Sequence, residues 1–152
     1  MGKINWRRVF LGGLLACVVI NLLGYVLGSL LLREGELRSA LTVARPLSLW
    51  PRRTLSLALG GSVLGFFTDI IVTFLVGILV VWWYAAIRPR FGPGPKTAAL
   101  AGFAFWLSAS PVQVLLGGYV LQWSSHLVVT FDAIHLIQSV AAAVVGAWPY
   151  KE

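Results

Sequence analysis

Four long apolar stretches dominate the sequence, and the connections between them, together with the two chain ends, hold 15 of the 17 charged residues. About 20 apolar residues, each adding 1.5 Å of helix, are enough to cross the ~30 Å hydrocarbon core of a bilayer. The pattern therefore predicts an all-α fold, an integral membrane bundle of four transmembrane helices in a single domain, residues 1–152. The predicted spans are at about 9–32, 68–87, 98–120 and 126–148.

The connection between the first and second spans, residues 33–67, is longer than the others. Its first part, 33–53, holds five arginines, two glutamates and two prolines. Residues 54–67 are uncharged, and together with the second span they are too long for one straight crossing and too short for two. We expect 54–67 to lie along the interface or to dip into it. One long tilted or broken second helix is the alternative.

A hairpin is predicted between the second and third spans. The aromatic run 82–84 is typical of a membrane–water boundary, and IRPRFGPGPKT follows it at 87–97. Prolines hold the residues before them extended and glycines permit turns, which together favour a short, stiff connection. Thr97 is suitably placed to cap the third span. The basic residues Arg88, Arg90 and Lys96 suit binding to anionic lipid or to the acidic surface of a partner.

The composition agrees with a membrane protein: 59% of residues are hydrophobic and 11% are charged, against about 25% charged in soluble domains. A net charge of +7 would suggest nucleic acid in a soluble protein. Here the basic residues flank apolar stretches, so the bilayer surface explains them better and no nucleic-acid partner is expected. Positive charge before the first span and in the hairpin places both termini and the hairpin in the cytoplasm. The five arginines of the first connection argue against this orientation.

The first span carries small residues on one face. Its apolar stretch of about 24 residues exceeds the 7–15 of a signal-peptide core, so we expect it to be retained as a helix. Gly13, Cys17, Gly24 and Gly28 recur at helical spacing, and Asn21 lies on the same face. Small residues arranged in this way let a neighbouring helix approach closely, which makes this the predicted helix-packing face.

Polar residues inside the spans are the candidates for chemistry, because an ionisable side chain in a bilayer is costly and often functional. An antiparallel bundle would gather six of them in its outer half: Asn21, Asp69, Thr73, Gln113, Asp132 and His135. Asp132, His135 and Ser139 share one helical face. The group is either a polar pocket or proton path that opens outward, or a set of interhelical hydrogen bonds of about 0.6 kcal/mol each. We favour the hydrogen bonds.

No cofactor, metal site or catalytic residue is expected. His126 and His135 are nine residues apart on one helix, on nearly opposite sides, so they cannot hold one haem iron within a monomer. A haem shared across a dimer is the alternative. Asp132 and His135 with Asp69 form a weak metal set, because Asp69 lies too close to the surface. A haem or pigment held by this chain alone is therefore disfavoured.

Three stretches together carry a resemblance to a known family. They are the hairpin region YAAIRPRFGPGPKTAALAGFAFW, the start KINWRRVFLGGLLACVVINL and the ending VVGAWPYKE. With these the chain resembles a family of small, uncharacterised bacterial four-span integral membrane proteins, over most of its length. The resemblance implies four spans in the bacterial cytoplasmic (inner) membrane. It implies no particular activity, cofactor or catalytic residue.

The leading functional hypothesis is a small accessory or structural subunit. It would pack against other integral membrane subunits, or against itself as a homo-oligomer, and bind anionic lipids. The spans contain few polar residues, which favours neither catalysis nor ion translocation, and no enzyme activity is expected. The alternative is a small proton-coupled carrier with an outward-facing cavity around Asp132 and His135. Carriers usually contain paired repeats, and no convincing internal repeat is visible. A membrane enzyme ranks third.

Overall fold

The computed structural model describes residues 5–31, 63–120 and 122–150, and in these ranges it contains four α-helices and no strand. The helices are α1 Trp6–Leu31, α2 Val63–Phe91, α3 Pro95–Leu115 and α4 Ser125–Gly146, and a π-helical turn, Leu116–Val120, extends α3. Each is long and apolar enough to cross a membrane. The predicted all-α bundle of four spans is confirmed.

The helices form an antiparallel bundle in which α1 packs against both α2 and α4, and these two helices also contact each other. α3 packs mainly against α4, and it contacts α2 less, although a short turn joins the two. The main apolar core gathers five alanines, two valines and two tyrosines from all four helices and the segment after α4: Val9, Ala16, Val81, Tyr84, Ala85, Ala98, Ala101, Ala142 and Tyr150. Alanine at so many of these positions lets the helix backbones lie close together.

Glycines mark the closest helix approaches. A Cβ atom on Gly12 of α1 would run into the carbonyl oxygen of Gly146 on α4. A Cβ on Gly77 of α2 would lie 2.5 Å from the carbonyl oxygen of Gly13 on α1. Gly102 of α3 similarly faces the α4 backbone at Ser139 and Val140. Three of the helix pairs therefore meet at points where only a hydrogen atom fits.

α2 is longer than the span predicted for it. It begins at Val63 instead of about residue 68, so residues 63–67 are helical and continuous with the second span. The rest of the predicted interfacial connection, up to residue 62, lies outside the described residues. At its other end α2 continues through Pro89 to Phe91. Arg88 is therefore helical, and the prediction that Pro89 would hold it extended is wrong.

The end of α2 is held by contacts that the sequence pattern did not reveal. The amide of Gly92 donates to the carbonyl oxygen of Arg88 at 2.9 Å. The Arg88 guanidinium lies over the ring of Tyr150, with 5.4 Å from Cζ to the ring centroid. The hydrogen bond continues the helical pattern past Pro89, which has no amide to donate, and the side-chain contact joins the end of α2 to the segment after α4.

The hairpin turn between α2 and α3 spans only Gly92, Pro93 and Gly94. Gly92 has φ of 78° and Gly94 has φ of 145°, both in a region that favours glycine. Pro95 opens α3 after Gly94, which occupies the N-cap position. Proline fits there because the first helical amide has no partner in the helix. The prediction that Thr97 caps α3 is therefore wrong; its hydroxyl donates to the carbonyl oxygen of Phe91 at 3.3 Å.

Candidate functional site

The first polar contact inside the bundle joins α1 to α2. The side-chain amide of Asn21 donates to the hydroxyl of Thr73 and to the backbone carbonyl of Cys17, each at 2.9 Å. The Thr73 hydroxyl in turn donates to the carbonyl oxygen of Ile70 at 3.2 Å. The Cys17 sulfur lies 3.3 Å from the same hydroxyl. Both amide hydrogens of Asn21 are thus used, which fixes the register of α1 against α2.

A second polar contact joins α4 to α1. Gln138 is buried, and its side-chain amide donates to the carbonyl oxygen of Ile20 at 2.9 Å. A Cβ atom on Gly24, one turn further along α1, would lie 2.8 Å from the Gln138 nitrogen. Gly24 therefore makes room for the Gln138 side chain. Gln138 was not part of the predicted polar cluster, although a mid-span amide three residues from His135 was the signal that could have included it.

We expect the effects of Gly24→Ala and Gln138→Ala to be non-additive. The new methyl group displaces the Gln138 amide from the Ile20 carbonyl, so Gly24→Ala should lower the free energy of unfolding by about 0.6–1.7 kcal/mol. In a Gln138→Ala background the same substitution should cost almost nothing, because the group it displaces is gone. A double-mutant cycle of unfolding in mixed detergent measures this coupling. Additive effects would show that Gly24 acts on something other than Gln138.

The third set of polar contacts joins α3 to α4. The side-chain amide nitrogen of Gln113 forms a hydrogen bond with Nδ1 of His135. The indole nitrogen of Trp106 donates to the backbone carbonyl of Asp132 at 3.1 Å. Within α4, the Ser139 hydroxyl donates back to the carbonyl oxygen of His135. Side chains of α3 thus contact α4 at two successive turns, around Asp132 and around His135.

Asp132 differs from these groups. Its carboxylate oxygen Oδ1 is buried, and it has no hydrogen-bond partner among the residues that the structure describes. The residue lies in the second turn of α4, within a stretch that is long and apolar enough to cross a membrane. An unsatisfied carboxylate oxygen in such a place is costly, and the cost is larger if the group is charged.

The structure divides four of the six residues of the predicted polar cluster between two helix pairs. Asn21 and Thr73 meet between α1 and α2, whereas Gln113 and His135 meet between α3 and α4. Asp132 lies one turn before His135 on α4. The Asp69 side chain lies outside what the structure describes. The sequence identified these residues as polar positions within spans, but their pairing depends on the relative rotation and register of the helices.

The predicted packing face of α1 is used inside the chain. A Cβ atom on Gly13 would lie 2.7 Å from the Ile78 side chain of α2, and Cys17 is buried beside Thr73. Gly24 faces α4 through Gln138. The side-chain surroundings of Gly28 lie outside the described residues. This face of α1 therefore holds the bundle together at the three described small residues.

The residues of the predicted basic hairpin have different surroundings. Arg88 lies in the wall of a cavity of about 610 Å³, which we call the basic-end cavity, between the end of α2, the start of α3 and the end of α4. Arg90 and Lys96 are exposed and do not line it. Within the described ranges, no three histidine, cysteine or acidic side chains lie close enough together to hold a metal ion.

No known protein family, curated protein or solved structure matches the chain. The resemblance to a bacterial four-span family therefore stays a prediction, and the function has to be argued from the geometry.

Proposed function

We propose that this chain is a small accessory subunit of the bacterial cytoplasmic membrane, one that packs against another integral membrane protein or a second copy of itself. One observation carries the proposal: within the described residues, the second half of α3 contains no buried residue, and its hydrogen bonds with α4 are made by Trp106 and Gln113. The buried residues of α3 all lie at 97–102. Residues 103–115 contain none, and we call them the open half of α3.

The composition of the open half supports a protein neighbour over lipid alone. It includes Ser108, Ala109, Ser110 and Pro111. A helix surface that contacts only lipid does not require small or polar side chains. Helix interfaces in membranes are enriched in such residues, because they let two backbones approach closely. The Ser108 hydroxyl donates to the Phe105 carbonyl of its own helix at 2.7 Å, so it adds little polarity to the surface.

The substitution Ala109→Leu tests this role. Ala109 is exposed on the open half, and a larger side chain there should hold a docked helix away. We expect the assembly extracted in a mild detergent to lose its partner and its native mass to fall, with the fold unchanged by circular dichroism. Ala86→Leu is the matched control, because Ala86 is exposed on α2, and its assembly should keep its mass. Wild-type protein that runs as a single chain would contradict the proposal.

The distribution of basic residues supports a cytoplasmic location for both chain termini and the α2–α3 turn. The starts of α1 and α3 and the end of α2 all carry basic residues: Arg7, Arg8, Arg88, Arg90 and Lys96. Positive charge in short connections is retained on the cytoplasmic side. We call this the basic end of the bundle.

A second function, proton-coupled transport, is favoured by Asp132. Its buried Oδ1 atom has no hydrogen-bond partner among the described residues, and ionisable side chains within membrane spans often mark proton relays in transporters. His135 and its partner Gln113 lie one turn away. A carrier would lose uptake into proteoliposomes when Asp132 becomes asparagine, whereas an accessory subunit would keep its assembly.

A further inference from the structure

The basic-end cavity is formed by the parts of the chain that meet where α2, α3 and α4 reach the membrane boundary. Its wall includes Tyr84 and Arg88 from α2, Gly94 from the turn, and Trp148 and Tyr150 after α4. The volume of about 610 Å³ lies within the 300–1,000 Å³ typical of small-molecule sites. The cavity is therefore large enough for a headgroup and the first part of its acyl chains.

The cationic wall of this cavity is held in place by aromatic contacts. The Arg88 guanidinium lies over the Tyr150 ring, and its Nη1 atom is buried. The Tyr150 ring meets the Tyr84 ring edge-on, with centroids 6.0 Å apart. The Tyr150 hydroxyl accepts a hydrogen bond from the backbone amide of Asn5 at 3.2 Å. Because its position is set before any ligand arrives, Arg88 loses little freedom on binding.

The charge around the cavity has one sign among the described residues. The basic end carries five cationic side chains, while the one acidic side chain that the structure describes, Asp132 in the first half of α4, lies toward the opposite end. In the sequence, Lys151 and Glu152 follow Tyr150 with opposite charges. The potential at the cavity is therefore positive, which favours an anionic ligand.

The rest of the cavity is apolar. Ala98, Val144 and Val145 line it, and Trp148 is 72% exposed beside it, as is typical of an aromatic side chain at a membrane interface. A ligand that fits both parts has a negative group for Arg88 and a hydrocarbon part for the valines.

We infer that the basic-end cavity binds an anionic phospholipid, whose phosphate contacts Arg88 and whose glycerol and upper acyl chains lie against Val144 and Val145. A free phosphate would use only the cationic wall and would leave the apolar lining in contact with water. The membrane supplies the lipid at high local concentration on the side where the basic residues lie. This site does not depend on the accessory role, since it uses the other end of α3.

Native mass spectrometry of the full chain in a non-ionic detergent tests the site. We expect one phosphatidylglycerol to bind per chain, about tenfold more tightly than phosphatidylcholine with the same acyl chains. Arg88→Gln should weaken phosphatidylglycerol binding about fivefold. Arg90→Gln is the matched control, because it removes the same charge two residues away on an exposed side chain outside the cavity. It should weaken binding less than twofold.

A second variant keeps the test decisive if Arg88→Gln reduces folding. Ala147→Leu fills part of the cavity without changing charge, since Ala147 lines it, and it should also reduce phosphatidylglycerol binding. Three results would overturn the proposal. They are equal binding of the two lipids, equal effects of the Arg88 and Arg90 variants, and displacement of the lipid by inorganic phosphate at equal concentration. The last would make the site one for a free anion.

Discussion

Replacing Gly12 with alanine is expected to force α1 away from α4 and to lower the free energy of unfolding by about 3 kcal/mol, the upper part of the usual range for overpacking. The added Cβ atom meets the carbonyl oxygen of Gly146, which belongs to the rigid backbone of α4, and lies 3.0 Å from the Val81 side chain of α2. A flexible side chain could rotate away from such a contact, but a helix carbonyl cannot. The two helices must therefore separate, and the apolar core around Ala16 and Ala142 loosens with them.

Gly118→Ala is the matched control for this substitution. It makes the same chemical change, but nothing lies within 4 Å of the added Cβ atom at that position. Its unfolding free energy should stay close to that of the wild-type chain. Reversible unfolding in mixed detergent, followed by circular dichroism, measures both variants. If Gly12→Ala were as stable as Gly118→Ala, the close approach of α1 and α4 at this point would be incorrect.

Replacing Asp132 with asparagine is expected to have the opposite effect and to raise the free energy of unfolding by about 1–3 kcal/mol. Its buried Oδ1 atom has no hydrogen-bond partner within the described ranges, and leaving a buried charged group unsatisfied costs more than leaving a neutral one unsatisfied. The amide of asparagine leaves a polar atom at the same place, so the expected gain comes from removing the charge. Asparagine has nearly the same shape and carries no charge. The indole of Trp106 donates to the backbone carbonyl of residue 132, so this contact survives the substitution.

Asn21→Ala provides the contrast. Asn21 is also a polar residue within a span, but its amide hydrogens bond Thr73 and Cys17. Its loss should lower stability, by roughly 0.6–1.7 kcal/mol. The same unfolding assay therefore distinguishes a polar group that stabilises the bundle from one that destabilises it. A drop in stability for Asp132→Asn would mean that the carboxylate has a stabilising partner.

The sign of the Asp132 effect also bears on function. A residue that destabilises the fold is more often retained for activity than for packing, because stability and activity are frequently in conflict. If Asp132→Asn stabilises the bundle, keeps the assembly intact and abolishes uptake into proteoliposomes, the carrier hypothesis is supported. If uptake is absent from the wild type and the assembly is unchanged, Asp132 serves the accessory subunit in some other way.

The sequence predicted the polar positions of the candidate site better than their contacts. Asn21, Thr73, Gln113 and His135 all form hydrogen bonds between helices, the first two at a partly buried contact and the last two at an exposed one. Their division into two separate contacts was not foreseen, because depth in the membrane says nothing about rotation around a helix axis. A rotation of one residue, about 100°, moves a side chain from one neighbour to another.

For the packing glycines too, the sequence pattern predicted positions better than contacts. The spacing rule placed Gly13 on a packing face, and the structure puts Gly13 against α2. It left out Gly12, whose close contact is with α4. Because α1 packs against both α2 and α4, it needs small residues toward each of them. The rule also selected Gly24, which faces Gln138 of α4, so it found residues of both contacts without showing which helix each one faces.

By itself the sequence determined the all-α fold with four spans, because the length and apolarity of a span are local properties set by the thickness of the bilayer. It also determined where the basic residues fall. Only the tertiary structure decided that α1 packs against both α2 and α4, and that Arg88 is helical and lines a cavity together with Tyr150. It also decided that one oxygen of Asp132 is buried without a hydrogen-bond partner among the described residues. These features depend on contacts between residues as far apart as 88 and 150, and a periodic pattern along the chain does not encode which helix faces meet.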